Sequence, residues 1–300
     1  MPETNASVCN LGAYLKAVAD LRRGWNLRPD DEIWFRGESD DFGARKLKPT
    51  IYCPVNYVSG PERHPSRIKD VEAILKQEYL LFCNFQHGAA QFQECRSCAQ
   101  DEDWDDYFLM QHHGGPTRLL DWTDQPLIAL YFALRDAIRD CRPRVFVLEP
   151  DRMITHLSEP AAEAQHKENW LRYLEKNKHI LRGGDEWEEI YLPMHQSDRE
   201  QLPMPLQPLL LDFDHSSRRI NAQGSRLILY GMSTDALVNQ LHREASYRAI
   251  DEIVIEQDSV PSIADELAGI GVTAASAFPD LDGVGRSVAD KWRRWATSDY

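Results

Sequence analysis

The sequence has 300 residues, of which 42% are hydrophobic and 27% are charged, and its formal net charge is -14. This composition is typical of a folded protein and argues against extended disorder. The acidic balance argues against broad, non-specific binding to nucleic acids, because such binding depends on Lys and Arg that neutralise phosphates. The sequence starts without a basic, apolar leader and has no apolar run of about 18 residues, so we expect a cytoplasmic protein that does not enter a membrane.

The six cysteines are too few and too scattered for a disulfide framework, so we expect reduced thiols. One cluster offers three sulfurs and an imidazole, a donor set that zinc accepts, and it consists of Cys83, His87, Cys95 and Cys98. Its spacing matches no common zinc ribbon. We therefore expect packed or solvent-facing thiols and no metal cofactor, with zinc as the alternative.

Hydrophobic periodicity predicts the elements of the first third of the chain. Apolar residues at helical spacing predict a helix over residues 11–21, and the apolar run 32–37 predicts a short buried strand. The stretch 47–65 is rich in Pro, Gly and Tyr, and it predicts a loop rather than a strand pair. Two amphipathic helices are expected after it, at residues 70–85 and 103–111.

Helices and strands also alternate in the remainder of the chain. A buried helix is expected over residues 126–139, starting after a cap formed by Thr123 and Asp124. The later elements are expected to be strands at 144–148, 225–231 and 249–255, a helix at 259–269 and a final helix through Trp295.

The connections between these strands are both short and long, which favours an α+β fold over a regular parallel sheet. We expect a single mixed-sheet domain with flanking helices that spans residues 1–300. Its expected parts are an N-terminal helix in 1–30, a core in 31–150, a charged irregular segment in 151–205, and C-terminal strands and helices in 206–300.

The predicted strand at 32–37 ends in Trp34-Phe35-Arg36-Gly37, which places a guanidinium next to a residue without a side chain. A guanidinium presents a planar fork of donors suited to phosphate or carboxylate, and glycine lets a ligand approach the backbone closely. These residues predict an anion site. The alternative is structural, with Arg36 pairing with a buried Asp121 to hold two elements together.

The segment 111–123 contains two His, two Gly, a Pro, an Arg, an Asp, a Trp and two Thr between two predicted helices. This composition is typical of a ligand-binding loop on a rigid scaffold. Either His112 or His113 can transfer a proton near neutral pH, and the alternative for each is a hydrogen-bonded loop histidine.

Arg118, in the same segment, either faces a phosphate or forms a local ion pair with Asp121. Thr117 and Thr123 either bind ligand hydroxyls or serve as turn and cap residues, and for Thr123 we favour the cap.

Gln223 precedes the predicted strand at 225–231. Its carboxamide can orient a substrate or satisfy the turn, but it cannot act as a general base. The acidic run 185–189 is expected to be solvated, with a catalytic carboxylate as the alternative.

Three blocks of this sequence together resemble the FRG domain family. They are residues 34–37, residues 111–123 followed by 129–133, and residues 219–224; the segment 278–283 also fits. The resemblance extends from residue 32 to about residue 291.

The order of the blocks is similar, more weakly, to ADP-ribosyltransferases of the Arg-Ser-Glu type. In that family a strand with Arg, a strand with a Ser-Thr-Ser-like motif and a strand that presents Glu follow one another, and here Arg36, residues 120–123 and Gln223 take these places. This resemblance implies a split-sheet core with NAD across its cleft. Gln223 departs from the expected Glu, so either Asp121 or Glu186 supplies the carboxylate or transferase activity is absent.

The two resemblances imply a set of site residues. The implied catalytic positions are Arg36, His112, His113, Asp121 and Gln223. The implied NAD contacts are Arg36, Gly37, Thr117, Arg118, Thr123 and Tyr131.

The leading hypothesis from the sequence is an ADP-ribosyltransferase or NAD glycohydrolase that acts as an antiphage defence or toxin effector, with a phage or host macromolecule as target. The alternative is a non-enzymatic sensor that recognises a nucleotide or a phage protein through the same cleft. A nucleic-acid hydrolase ranks third, because the chain is acidic and lacks a clear set of metal-binding carboxylates.

Overall fold

A computed structural model describes residues 7–42, 46–59, 62–65, 70–92, 102–137, 141–158, 191–193, 206–211, 222–241 and 248–297. The helices are α1 (Leu11–Gly24), α2 (Val71–Ala89), α3 (Glu102–His112), α4 (Pro126–Arg135), α5 (Pro150–Ser158), α6 (Leu237–Leu241), α7 (Val260–Gly269), α8 (Ala274–Ala277) and α9 (Leu281–Thr297). The strands are β1 (Trp34–Glu38), β2 (Asn56–Ser59), β3 (Glu62–Pro65), β4 (Leu119–Thr123), β5 (Arg144–Leu148), β6 (Leu209–Leu211), β7 (Ser225–Leu229) and β8 (Ile250–Val254).

Six strands form one open sheet in the order β6-β7-β4-β1-β5-β8, and helices flank it, which confirms the α+β fold class. Every strand pairing in this sheet is antiparallel. Among the described residues, parallel pairing is confined to the single bridge between Val8 and Ile255. The expected mixture of strand directions is therefore limited to that bridge.

The contact between β1 and β4 differs from the other central pairings. The pairs β1–β5, β4–β7 and β5–β8 each align over five positions, whereas β1 and β4 align only at Phe35 and Thr123. The sheet thus consists of two halves, β6-β7-β4 and β1-β5-β8, joined through one aligned pair. This junction is the place where a split-sheet core would open a cleft.

The sheet is buried on both faces, as β5 illustrates. Its side chains alternate between the faces, so Val145 and Val147 pack with α1, α4 and α7 while Phe146 and Leu148 pack with Trp34, Trp122 and Met153 on the opposite side. A third apolar cluster joins α2 and α3 to strands β4, β6 and β7. Both helix layers hold the strands rigidly, and a rigid strand fixes the side chains at its end.

Local sequence signals explain the helix ends next to these layers. Asn10 accepts a hydrogen bond from the Ala13 backbone N–H at 2.8 Å, and Asp70 accepts one from Ala73 at 2.9 Å, so both residues act as N-caps. Pro126 occupies the first turn of α4, where its missing N–H costs no helical hydrogen bond. The helices predicted at 11–21, 70–85, 103–111 and 259–269 are confirmed.

Three local expectations are wrong. Residues 56–65 contain the antiparallel pair β2–β3 within the stretch predicted to be a loop. Residues 119–123, which their composition predicted to be a loop and the weaker resemblance placed on a strand at 120–123, are a strand, because Leu119, Leu120 and Trp122 enter the core on its two faces. The N-cap of α4 is Gln125 rather than Thr123, which ends β4.

None of the helices in the described part of the chain combines the length and the apolar character needed to cross a membrane.

Candidate ligand-binding site

A pocket of about 330 Å³ lies where β1 and β4 meet, a size at the lower end of the range for small-molecule sites. Its polar lining is Arg36, Glu38, Ser39, Gln111, His112, Asp121, Thr123, Asp136, Gln223 and Ser225. The rest of its lining is Phe35, Gly37, Phe42, Trp122, Ala129 and Phe132. Segments almost two hundred positions apart therefore converge on one depression.

Arg36 connects the two halves of the sheet at this pocket. Its side chain is 24% exposed, and its Nη1 donates to the backbone carbonyl of Asp121 at 2.6 Å. The charge partner of the guanidinium is Glu38, whose Oε1 lies 3.3 Å from Nε. The expected pairing of Arg36 with a buried Asp121 carboxylate is wrong, because Asp121 is exposed and contributes its main chain.

Glu38 is a pocket residue that the sequence interpretation missed. It is only 5% exposed, and its Oε1 also accepts a hydrogen bond from the Leu47 backbone N–H at 3.1 Å. Its other oxygen, Oε2, is buried and has no hydrogen-bond partner among the residues that the structure describes. The available signal was its position two residues after Arg36, since alternate residues of a strand share a face.

Gly37 has a packing role in addition to the one expected of it. A Cβ at this position would collide with the backbone of α4 at Ala129 and Ala133. The missing side chain therefore lets the helix pack closely against β1, so helix packing requires a glycine here. Gly37 still contributes its backbone to the pocket wall.

Two side chains from the end of α3 enter the pocket. Gln111 donates from Nε2 to Asp121 Oδ2 at 2.8 Å and accepts a hydrogen bond from Thr117 Oγ1 at 2.5 Å. His112 lines the pocket, while His113 is exposed, lies outside the lining and packs edge to face on His112 at 5.3 Å. Thr117 is fully buried and positions Gln111, so its contribution to the site is indirect.

Arg118 lies in the core and not in the pocket. Its side chain is fully buried, with Nε 2.6 Å from Glu78 Oε2 and Nη1 2.7 Å from the backbone carbonyl of Tyr230. Nη2 donates to the carbonyl of Tyr191, and Tyr107 donates to Glu78 at 2.5 Å. The expected Arg118–Asp121 ion pair is wrong, because Glu78 is the charge partner of the buried guanidinium. The expected phosphate contact of Arg118 stays a prediction, and Arg118 lies outside the lining of the pocket.

Burial and charge act in opposite directions on the pKa of Arg118 and in the same direction on the pKa of Tyr107. Burial alone would lower the pKa of Arg118, but the neighbouring Glu78, Tyr107 and Tyr52 raise that pKa above its ordinary value. Burial and the Glu78 charge raise the pKa of Tyr107 well above 10, so its hydroxyl stays protonated and donates. Arg118 therefore remains a cation that Glu78 neutralises.

Thr123 and Gln223 close the pocket on the β7 side. Thr123 Oγ1 donates to the Gln223 carbonyl at 2.5 Å and accepts a hydrogen bond from the Gln125 N–H at 3.0 Å. The Gln223 carboxamide donates to the Ala277 carbonyl at 2.8 Å. Gly224 has a φ of 52°, and a side chain there would collide with Asp124, so this tight turn holds Gln223 in place.

Phe132 forms an aromatic wall of the pocket, supported by an edge-to-face contact with Phe278 at 5.7 Å. Tyr131, the neighbouring residue on α4, packs against Phe132 but lies outside the lining. The pocket therefore gives no support to the ligand contact expected of Tyr131. Burial raises the pKa of the Tyr131 hydroxyl.

The structure thus brings together Arg36, Gly37, His112, Asp121, Thr123 and Gln223, and it leaves His113, Thr117, Arg118 and Tyr131 outside the pocket. Two other candidates lie outside the described residues: Glu186 of the acidic run, and Cys95 and Cys98 of the cysteine cluster. Within the described ranges, no group of three or more His, Cys, Asp or Glu is placed to hold a metal ion.

The fold and the pocket define an α+β domain with a polar, partly aromatic pocket between the halves of an antiparallel sheet. The family model described as the FRG domain matches residues 31–141, so the chain contains an FRG domain. No curated protein and no solved structure gives a significant match.

The matched stretch runs from just before β1 to just after α4. It contains every lining residue of the pocket except Gln223 and Ser225. The blocks at 219–224 and 278–283, which entered the sequence resemblance, lie beyond the match. The FRG domain thus supplies most of the pocket, and the C-terminal part of the chain completes it.

Proposed function

We propose that the pocket binds NAD and that the chain breaks the bond between nicotinamide and ribose, transferring the ADP-ribosyl group to an acceptor or to water. The observation that carries this proposal is the convergence of the Arg36 guanidinium, an imidazole and three carboxylates, those of Glu38, Asp121 and Asp136, on one pocket. Binding a dinucleotide requires a cation for the phosphates, and breaking its glycosidic bond requires negative charge near the ribose.

Arg36 is suited to the phosphate or ribose end of the ligand. Its Nη1 is held by the Asp121 carbonyl and its Nε faces Glu38, so the guanidinium plane is fixed before a ligand arrives. The remaining N–H donors belong to a side chain that is 24% exposed and can reach a ligand in the pocket. A donor group fixed in advance loses little conformational freedom when it binds.

The chemical step is a displacement at the ribose carbon. The carbon–nitrogen bond to nicotinamide breaks, its electron pair leaves with the ring nitrogen, and positive charge develops on the ribose. Asp121 supplies negative charge at the pocket wall, where Gln111 holds its carboxylate at 2.8 Å. An acceptor hydroxyl or water then adds to the ribose carbon, and its proton passes to His112.

Gln223 favours the second candidate function, a non-enzymatic sensor. The resemblance to Arg-Ser-Glu transferases calls for Glu where Gln223 stands, and its carboxamide is engaged by the Ala277 carbonyl. A pocket that lacks this carboxylate can bind a nucleotide without consuming it. Consumption of NAD would suit an antiphage or toxin effector, whereas stable binding would suit a sensor of nucleotides or phage proteins.

Incubation of the chain with NAD labelled in the nicotinamide ring tests the proposal. We expect release of nicotinamide, weaker NAD binding in Arg36→Ala by about 10- to 100-fold, and nearly full binding with strongly reduced release in Asp121→Asn. Arg23→Ala is the control, because Arg23 is 73% exposed on α1. NAD binding without release would support the sensor, and absence of both binding and release would contradict the proposed function.

A further inference from the structure

Two buried side chains of the pocket each carry a polar atom that lacks a partner among the described residues. They are Glu38, through Oε2, and Trp122, through its indole Nε1. The two residues are 5% and 3% exposed. Buried polar atoms are nearly always hydrogen-bonded, because an unsatisfied one loses its interactions with water and gains nothing in return.

The two orphan atoms have opposite hydrogen-bonding character. An ionised carboxylate oxygen only accepts, and an indole N–H only donates. Glu38 lies on β1 and Trp122 on β4, so the two groups come from opposite sides of the junction between the sheet halves. A ligand group that satisfies both atoms must present a donor to Glu38 Oε2 on β1 and an acceptor to Trp122 Nε1 on β4.

A primary carboxamide has this pattern on a single planar group, since its nitrogen donates and its oxygen accepts. We infer that Glu38 and Trp122 form a carboxamide-recognition pair, in which Glu38 accepts from the amide nitrogen of the ligand and Trp122 donates to its carbonyl oxygen. The inference rests on the proposed function, in which the carboxamide is that of nicotinamide. It makes Glu38 and Trp122 specificity-determining residues.

The same arrangement rejects a carboxylate in place of the carboxamide. A carboxylate has no proton to donate to Glu38, and its negative charge would lie against that of the Glu38 side chain. A site built to hydrogen-bond a particular group discriminates strongly against an analogue that leaves its buried polar atoms unpaired.

The test compares the affinity of the full chain for NAD with its affinity for nicotinic acid adenine dinucleotide, measured by calorimetry. These two dinucleotides differ only in the carboxamide, which is a carboxylate in the second. We expect NAD to bind about 10- to 100-fold more tightly to the wild-type chain. This comparison needs no variant, so it does not depend on a substitution that folds.

Two substitutions then separate the roles of the pair. Glu38→Gln removes the negative charge and adds a donor, so the preference for NAD should fall to within about threefold. Trp122→Phe should weaken both dinucleotides by a similar factor, because both present an acceptor oxygen to the indole. Asp20→Asn is the control, since Asp20 is a carboxylate on α1 that lies outside the pocket lining and pairs with Lys16, and it should leave both affinities and the preference at the wild-type values.

Equal affinity of the wild-type chain for the two dinucleotides would overturn the carboxamide inference while leaving NAD binding intact. A preference that persists in Glu38→Gln would also overturn it. If neither dinucleotide binds, the proposed function itself fails, so the two failures are distinguishable.

Discussion

Two arginines show how burial decides the role of a residue. Arg36 and Arg118 each have a carboxylate partner, but Arg36 keeps 24% of its side chain exposed at the pocket, whereas Arg118 is fully enclosed. A guanidinium closed off by Glu78 and two backbone carbonyls has no access to a ligand. Its role is to join α2, β4 and the residues after β7.

Removal of one partner from this buried pair should destabilise the chain strongly. We expect Glu78→Gln and Arg118→Met each to lower the free energy of unfolding by about 3–5 kcal/mol, because the remaining partner is left as a buried, uncompensated charge or polar group. Chemical denaturation followed by circular dichroism measures this. The control is Lys16→Met in the pair with Asp20, where Lys16 is 75% exposed and little change is expected. A change as small as the control's in either core variant would contradict this description of Arg118.

Site residues could be predicted where the signals lie close in the sequence, and not where the contacting residues are far apart in it. The position of Arg36 on a strand was predictable, because a short apolar run and Gly37 mark the five-residue strand β1 in the sequence. The partner of Arg118 lies forty positions away on α2, where charged residues otherwise indicate a solvated helix face. Sequence spacing favoured the local Asp121 instead, and only the packing of α2 on the sheet reveals Glu78.

At the scale of elements, the contact of β1 with α4 holds the pocket wall in place. Gly37 lies directly beneath Ala129 and Ala133, so two small residues and a glycine bring the helix onto the strand. Phe132, on the same helix, forms part of the pocket. The distance between β1 and α4 therefore sets the width of the site.

Gly37→Ala should destabilise the chain by about 1–3 kcal/mol, since the added methyl group collides with helix backbone that cannot rotate away. Gly88→Ala is a matched control within α2, where an added Cβ meets no atom within 4 Å. That substitution should stabilise the chain by about 0.5–1 kcal/mol through helix propensity. Thermal unfolding of both variants gives the comparison, and a Gly37→Ala variant as stable as the wild type would contradict the packing argument.

Elements with a clear hydrophobic period were predictable, and elements with mixed signals were not. The strand β5 has four consecutive apolar residues after Arg144, all five of its positions are buried, and its bounds agree with the expected 144–148. By contrast, the β2–β3 pair lies in a stretch with the Pro and Gly content of a loop, and β4 begins within a polar motif. Tertiary pairing determined these strands more than local composition did.

At the scale of the whole molecule, the site depends on the junction of two sheet halves. The strands β1 and β4 align only at Phe35 and Thr123, and residues of both strands line the pocket. The hydrogen bond from Arg36 to the Asp121 carbonyl connects the two strands at this junction. The FRG domain at 31–141 contributes both strands, while Gln223 and Ser225 arrive from β7 and the turn before it. Because the chain has a net charge of -14, the anionic ligand that we propose requires a local cation such as Arg36.

A crystal structure of the chain determined with NAD would test the proposed binding site directly. We expect NAD at the β1–β4 junction, with a phosphate or ribose oxygen within hydrogen-bonding distance of Arg36 and the carboxamide between Glu38 and Trp122. NAD bound elsewhere on the molecule, or a pocket that remains without NAD at saturating concentration, would contradict it.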